Sequence, residues 1–527
     1  MRIFVGVAWP YANGPLHLGH IAGAYLPADI FARFNRLKGN KVLMVSGSDQ
    51  HGTPITIRAE REGKSPREIV EKYHAEFLEC WEKLGISFDL FTSTGTDNHK
   101  KTVYSFFLTL YDKGYIYRKK TLQLYCEGCE RFLPDRYVGG RCPFCGSEDA
   151  RGDQCDVCGK PLNPDELIEP RCSICGGRPE KRETEHFFFK LSAFEKKLEE
   201  WIKSKEWKPN VYEMSMRYIR EGLRDRAITR DIEWGVEVPI AGYENKRIYV
   251  WFEAVIGYLS ATKEWAEKNG EDWREFWQGD SRSYYFIGKD NIPFHTLIWP
   301  AMLMGYGGLN LPYDVPANEF LTLEGRQFST SRGWALWVLD FLKEYDPDPL
   351  RYALSIGMPE TGDADFSISE FKRRNNDELL ATYGNLAQRV LTFVRRRFDG
   401  RVPEPESLSG EDEDILRKTE DTFRRVDELL SRCRFRESIK TIMALCQDAN
   451  RYVERKAPWK EEDPSTTIWT SLSILSNLRK LFYPFLPFTS QKLSKLLGFD
   501  KIDGWGFETI EAGKNLPEPE PLFKKLK

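Results

Sequence analysis

Ile3-Phe4-Val5-Gly6-Val7-Ala8-Trp9-Pro10-Tyr11-Ala12-Asn13-Gly14-Pro15-Leu16-His17-Leu18-Gly19-His20 is the stretch on which the fold turns. The apolar run Ile3 to Ala8 reads as a strand, Pro10 to Pro15 as a turn, and the residues from His20 to about Leu37 as a helix. Two histidines three apart at a helix start set imidazole donors beside unpaired backbone N–H groups, which suits an anion such as a triphosphate. The neighbouring glycines let the backbone approach such a group closely. A His-x-x-His pair also fits a surface pair or half a metal site, so the rest of the chain has to decide.

Outward from this stretch the α/β pattern continues to about Tyr115, with a strand at Lys41 to Val45 and Asp49-Gln50-His51-Gly52 at a strand end, where open parallel sheets bind ligands. Strand signals resume at Ile248 to Phe252 and at Tyr284 to Gly288, the second running into Lys289-Asp290-Asn291-Ile292-Pro293-Phe294-His295. After about Phe366 the pattern is helical. Leu379, Tyr383, Leu386, Val390 and Phe393 share one face, and so do Phe435, Ile439, Ile442, Cys446, Ala449 and Val453. Another long apolar pattern, Ile468 to Leu497, is broken near Pro484 and Pro487. The Pro- and charge-rich tail beyond Glu508 reads as loosely packed.

A chain of 527 residues is too long for one core and implies three or four domains. Its 41% hydrophobic content, rich in Trp, Tyr and Phe, excludes a mainly disordered protein. A net charge of −3 leaves no global field for nucleic acid, so any such partner must be met by local basic patches. The N-terminus does not read as a signal peptide, and no apolar run spans a bilayer, which predicts a cytoplasmic protein with no membrane partner.

Eight cysteines form four Cys-x-x-Cys knuckles: Cys126/Cys129, Cys142/Cys145, Cys155/Cys158 and Cys172/Cys175. Two knuckles complete a closed, all-thiolate tetrahedral site, so the pattern predicts two structural Zn2+ ions rather than disulfides. Knuckle pairing is open from spacing alone. The stretch Leu122 to about Arg182, dense in Gly and Pro, reads as an insertion that metal holds together. Cys80, Cys433 and Cys446 read as core residues.

These motifs, in this order and separation, resemble the class I aminoacyl-tRNA synthetases, and among them the methionyl-tRNA synthetases. The resemblance covers nearly the whole chain. It rests on Pro10 to His20, His51-Gly52-Thr53-Pro54-Ile55, the knuckles, Tyr249-Val250-Trp251-Phe252-Glu253-Ala254, Phe286-Ile287-Gly288-Lys289-Asp290 and Phe328-Ser329-Thr330-Ser331-Arg332-Gly333. It implies a Rossmann-type parallel-sheet catalytic domain in two halves, 1–117 and 229–320, split by a zinc-knuckle insertion at 118–228. A linking region with a second signature loop would follow at 321–370, and an all-α anticodon-binding bundle with its tail at 371–527. It also implies a methionine–tRNA ligase that uses ATP with Mg2+ and acts on tRNA(Met). The family's extra C-terminal domain is not expected here, which predicts a monomer, with a separate tRNA-binding partner open.

The resemblance carries site residues over position by position. His17, Gly19, His20, Asp290, Phe328, Ser329, Thr330 and Ser331 fall on the ATP site. Tyr11, Asp49, Arg230, Trp251, Ala254, Tyr258, Phe294 and His295 fall on the methionine site, with Asp49 on the ammonium and Arg230 near the carboxylate. Asn385, Arg389 and Trp459 fall on the anticodon readers, and their chemistry suits unstacked bases. The basic residues Arg395, Arg396, Arg397, Arg432, Arg434 and Arg436 read as a phosphate-tracking surface. The second signature departs from the usual Lys-Met-Ser-Lys-Ser. Gln327-Phe328-Ser329-Thr330-Ser331 lacks both lysines, so the flanking Arg326 and Arg332 are expected to supply catalytic positive charge. Similar proteins that keep a single zinc set favour nested knuckles, Cys142, Cys145, Cys155 and Cys158 inside Cys126, Cys129, Cys172 and Cys175. A synthetase for leucine, isoleucine, valine or cysteine, and a non-catalytic zinc-knuckle RNA-binding protein, are the competing readings.

Overall fold

The computed structural model describes residues 1–527 apart from 135, 136, 153, 154, 156, 159–161, 163 and 329–332, and apart from the side chain at 165. Strands β1 (Arg2–Val7), β2 (Lys41–Ser48), β3 (Leu90–Ser93), β6 (Ser281–Gly288) and β7 (Ala317–Asn318) form one sheet in the order β7-β6-β1-β2-β3. Every neighbouring pair is parallel. The runs Ile3 to Val7 and Ser283 to Ile287 are buried without interruption, as strands covered on both faces require. From β1 the chain moves to β2 on one side, and β6 later adds on the other. The strand order therefore reverses between β1 and β6, which opens a crevice at their C-terminal ends.

Both strands run into the same kind of element. After β1 comes a helical run of Leu18–His20, a π segment at Ile21–Tyr25 and an α segment at Leu26–Leu37. After β6 comes a turn at Lys289–Asn291, a π segment at Phe294–Ile298 and an α segment at Trp299–Tyr306. Each α segment carries a proline in its first turn, Pro27 or Pro300. Proline lacks the N–H for the i→i−4 bond and crowds the carbonyl four residues back, so the wider π turn upstream relieves it.

Strands β4 (Ile116–Cys126) and β5 (Glu180–Phe189) pair antiparallel from Ile116↔Phe189 to Tyr125↔Glu180 and carry the cysteine-rich lobe at their far end. The lobe's buried apolar set is small, with Leu124, Leu133, Tyr137, Val138, Leu162 and Leu167 at its centre. A set of that size cannot close a stable domain alone. The lobe leans on helix Thr53–Glu62, where the Tyr137 hydroxyl donates to Thr56 Oγ1 at 2.7 Å and Arg131 pairs with Glu60 at 3.0 Å.

The C-terminal region packs helices Asn385–Arg397, Gly410–Ser431, Phe435–Lys456, Ser465–Phe482 and Pro487–Leu496. The predicted faces are the buried ones except at Phe393, which is half-buried, and Cys80, Cys433 and Cys446 are buried as expected. A buried ionic knot joins this bundle to the sheet domain. Arg351 Nη2 pairs with Asp29 at 2.7 Å, Arg33 pairs with the same carboxylate at 2.9 Å, and Arg351 also donates to the carbonyls of Leu84, Pro484 and Phe485. Burial alone would push the Asp29 carboxyl up, but the two guanidinium groups outweigh it and hold the carboxyl well below the usual range.

Two expectations are corrected. Ile248 to Phe252 is not a strand: only Arg247–Ile248 pairs, with Thr229–Arg230, and a helix covers Val250–Glu253. Its β-branched and aromatic residues favour strands, but here they turn inward to line a cleft, and tertiary packing overrides propensity. The tail beyond Glu508 is not loose either. Ile510, Leu516 and Phe523 are buried, and Asn375 and Asn376 bond the backbone of Lys524 and Leu526. Three well-spaced apolar side chains among its prolines anchor it without regular structure.

Candidate active site

The turn after β1 and the loop after β2 meet first. Tyr11 and Asp49 form a parallel bridge, with Ala12 N–H donating to the Asp49 carbonyl and Asp49 N–H to the Pro10 carbonyl, both at 2.8 Å. His17 stands just before the helical run and His20 within it. Their rings stack with centroids 3.8 Å apart, and the outer face of His17 stacks on Phe328 at 4.6 Å and 8°. The backbone confirms the approach: Leu18 N–H donates to Leu336 at 3.2 Å, and Val338 N–H to Leu16 at 2.9 Å. Residues about three hundred positions apart thus border one cleft.

The electrostatics keep this cleft free of imidazolium. Burial, reinforced by His20, lowers His17 to about 2, and burial lowers His20 to about 4. His20 Nδ1 accepts the His17 backbone N–H at 3.1 Å, so its proton sits on Nε2, a donor with no backbone duty. His17 Nδ1 is buried without a partner among the described residues. Asp290, at the end of β6, is open to solvent yet surrounded by protein mass, which raises its carboxyl.

Beside the cleft the aromatic residues assemble as expected. Trp251 stacks on Phe294 with centroids 4.2 Å apart, and Tyr11 meets Trp251 edge-on at 6.0 Å. All three are partly exposed, as walls of an open pocket, while Ala254 and Tyr258 are buried behind them. His295 Nδ1 donates to the Asn291 carbonyl at 3.0 Å, and Nε2 accepts the Tyr258 hydroxyl at 2.8 Å. Burial lowers His295 to about 4, so the ring is neutral with a fixed tautomer. Every proton of that pair is committed, which leaves a surface suited to an apolar, polarizable side chain. Arg230 stacks on Tyr249 at 3.7 Å and donates to the carbonyls of Ala227 and Thr229.

Arg326 is exposed and lies over Trp334 at 5.1 Å. Ser329, Thr330, Ser331 and Arg332 lie outside the described residues. Three residues without an assigned role from sequence form a linked group beside Asp49: His51 and Glu253, both inside recognised motifs, and His99, which no motif marks and which reaches the group through Glu253.

The cysteine sulfurs gather in the nested arrangement, Cys126, Cys129, Cys172 and Cys175 in one group and Cys142, Cys145, Cys155 and Cys158 in the other, all within 4.8 Å of one another in each. Cross-knuckle separations are 3.4 and 3.8 Å in the first and 3.8 and 3.6 Å in the second. A tetrahedron with Zn–S bonds of about 2.3 Å has edges of about 3.8 Å, so both groups fit a closed zinc site. Backbone N–H groups of Phe144 and Gly177 point at Cys142 and Cys175, as charged thiolates require.

On the bundle, Asn385 and Arg389 lie one turn apart, and Arg389 sits over the ring of Trp459, which is 53% exposed. Not every arginine of the expected basic surface is open: Arg395 pairs with Glu518 and Arg434 with Glu437.

Comparison with known proteins agrees with this geometry. Residues 3–391 match the family described as tRNA synthetases class I (M), and residues 412–520 the anticodon-binding domain of tRNA ligase. A methionine–tRNA ligase from Dehalococcoides mccartyi is 59% identical over all of this chain and 97% of its own length. One from Pyrococcus furiosus is 49% identical over all of this chain and 75% of its own. The solved Mycobacterium tuberculosis methionyl-tRNA synthetase in complex with methionyl-adenylate superposes with a TM-score of 0.84 at 26% identity, covering 99% of each chain. A catalytic sheet, a cleft of neutral imidazoles, an aromatic pocket and paired cysteine tetrads thus occur together in a chain that belongs to the class I methionine–tRNA ligases.

Proposed function

We propose that the cleft bordered by His17, His20, Asp49 and the aromatic pocket joins methionine to ATP and passes the product to the 3′ end of tRNA(Met). The observation that carries this reading is the packing of the second signature region, through Phe328 and Leu336, onto His17 and Leu18 of the first. A methionine carboxylate oxygen attacks the α-phosphorus, the bond to the bridging oxygen breaks, and pyrophosphate leaves with that electron pair. A ribose hydroxyl of the tRNA then attacks the acyl carbon, the bond from that carbon to the phosphate oxygen breaks, AMP departs with its electron pair, and the hydroxyl proton passes to solvent.

Both steps develop negative charge on phosphate oxygens, so donors count for more than bases. His20 Nε2–H, at the start of the helical run, serves the phosphates together with His17. Arg326 and Arg332 replace the missing lysines as the cations for departing pyrophosphate. Tyr11, Trp251, Ala254, Tyr258, Phe294 and His295 hold the thioether, Asp49 the ammonium and Arg230 the carboxylate. Asp290 bonds the ATP ribose. Magnesium bound to the triphosphate would neutralise phosphate charge. The two cysteine tetrads would hold zinc in a structural role, and thiolates of this kind call for a reducing compartment, which supports the cytoplasm. The chain acts as a monomer.

Methionine-dependent ATP–pyrophosphate exchange and tRNA(Met) charging test the reading. Wild-type protein is expected to do both, and His17→Ala to lose about 10²- to 10³-fold in exchange. Exchange with another amino acid but not methionine would overturn it.

A further inference from the structure

Behind Asp49 lies a second buried carboxylate. Glu253 is fully enclosed at the end of helix Val250–Glu253, where its Oε1 meets His51 Nδ1 at 2.8 Å and its Oε2 meets His99 Nε2 at 2.5 Å. His99, on helix Asp97–Asp112, is pinned on its other side by Ser260 Oγ at 2.9 Å. His51 joins the two carboxylates: its imidazole holds Glu253 while its backbone N–H donates to Asp49 Oδ1 at 3.1 Å. Asp49 itself is only 4% exposed. The Thr94 side chain also bonds Asp49, and Tyr11 lies beside it. Among the described residues no lysine or arginine forms an ion pair with either carboxylate; the titratable groups bonded to Glu253 are His51 and His99.

Two adjacent buried carboxylates with no lysine or arginine paired to either resist ionising together. Burial and the charge of Glu253 push the Asp49 carboxyl well above its usual range. Burial also opposes the charge on Glu253, but the two imidazoles outweigh it and hold that group down to about 2. The negative charge therefore resides on Glu253, and Asp49 keeps a proton until a cation arrives.

We propose that Glu253, clamped by His51 and His99, is a positioning residue for the ammonium end of the substrate, acting through Asp49 so that the arriving ammonium exchanges for one proton. The proposal rests on the methionine–tRNA ligase reading. The ammonium keeps its three hydrogens, the Asp49 O–H bond breaks, and that proton goes to solvent. The pair carries a charge of −1 before binding, and with both carboxylates ionised beside one ammonium the site again carries −1. At the ammonium end, binding therefore adds no net charge.

The test is calorimetric titration of the intact protein with methionine at pH 6.5, in buffers of differing ionisation enthalpy, alongside infrared difference spectra. Free methionine does not change protonation there. Wild-type protein is expected to release close to one proton per methionine and to lose the C=O stretch of a protonated carboxyl. E253Q, which keeps the shape but not the charge, is expected to release none and lose no band. Wild-type binding without proton release overturns the proposal even if E253Q fails to fold. So does release without loss of the carboxyl band, which would point to an imidazole, and so does undiminished release in E253Q. Failure of wild-type protein to bind methionine or to catalyse exchange instead sinks the ligase reading, and this proposal with it.

Discussion

His20, proposed to serve the phosphates, also weighs on stability. Its folded value is about 4, against an ordinary 6.5, so below pH 6.5 the unfolded chain takes up a proton that the folded one refuses. Stability contributed by the neutral ring is therefore lost as pH falls from 6.5 towards 4. Thermal melting should show His20→Asn losing less melting temperature than wild type between pH 6.5 and 4.5. The same depression predicts that exchange by wild-type protein shows no step from these imidazoles between pH 5.5 and 8. His17, His20 and Asp49 were legible in the sequence because each sits in a short motif at a strand end. Glu253 and His99 were not, since a carboxylate in an apolar helix and a histidine in a polar one gain meaning only when folding brings them together. Phe328 was legible as a loop residue, but not its stacking on His17, which depends on a contact between distant segments.

At the scale of elements, the α/β order and the bundle helices could be read because burial imposes a period on the sequence, and because the knuckles advertise themselves by spacing. The helix at Val250–Glu253 was misread as strand, since its residues serve a pocket and obey no solvent-facing period. The π segments left no trace beyond Pro27 and Pro300. The cysteine lobe makes the firmest prediction at this scale. With so small an apolar set, its order is expected to depend on metal in the two tetrads, so treatment with a strong zinc chelator should raise amide exchange across 126–175 while the sheet strands stay protected. Cys142→Ser should cost one zinc equivalent, and metal content by mass spectrometry should fall from two per chain to one.

The whole molecule depends on how the bundle is fixed to the catalytic sheet. Arg351 is completely buried and satisfies one carboxylate and three carbonyls drawn from distant parts of the chain. Arg351→Met removes one partner of a buried ionic knot, and denaturant unfolding should show a loss of about 3 to 5 kcal/mol. Exposed Trp459, with half-buried Arg389 over its ring, should matter to charging: Trp459→Ala is expected to lower kcat/KM for tRNA(Met) by about tenfold or more, as one lost stacked base implies, and to lower exchange far less. No sequence period announces this docking, because Arg351 and Asp29 lie in separate helices and each reads alone as a solvated charge.

The ladder of β4 and β5 ends with Tyr125 and Glu180 directly opposite each other on one rung. The whole cysteine-rich lobe consequently leaves and rejoins the chain at a single doorway. Lengthening, shortening or exchanging what hangs beyond that doorway would leave the nucleotide-binding framework's register untouched, so the lobe is free to diverge as a grafted branch while the trunk is held constant.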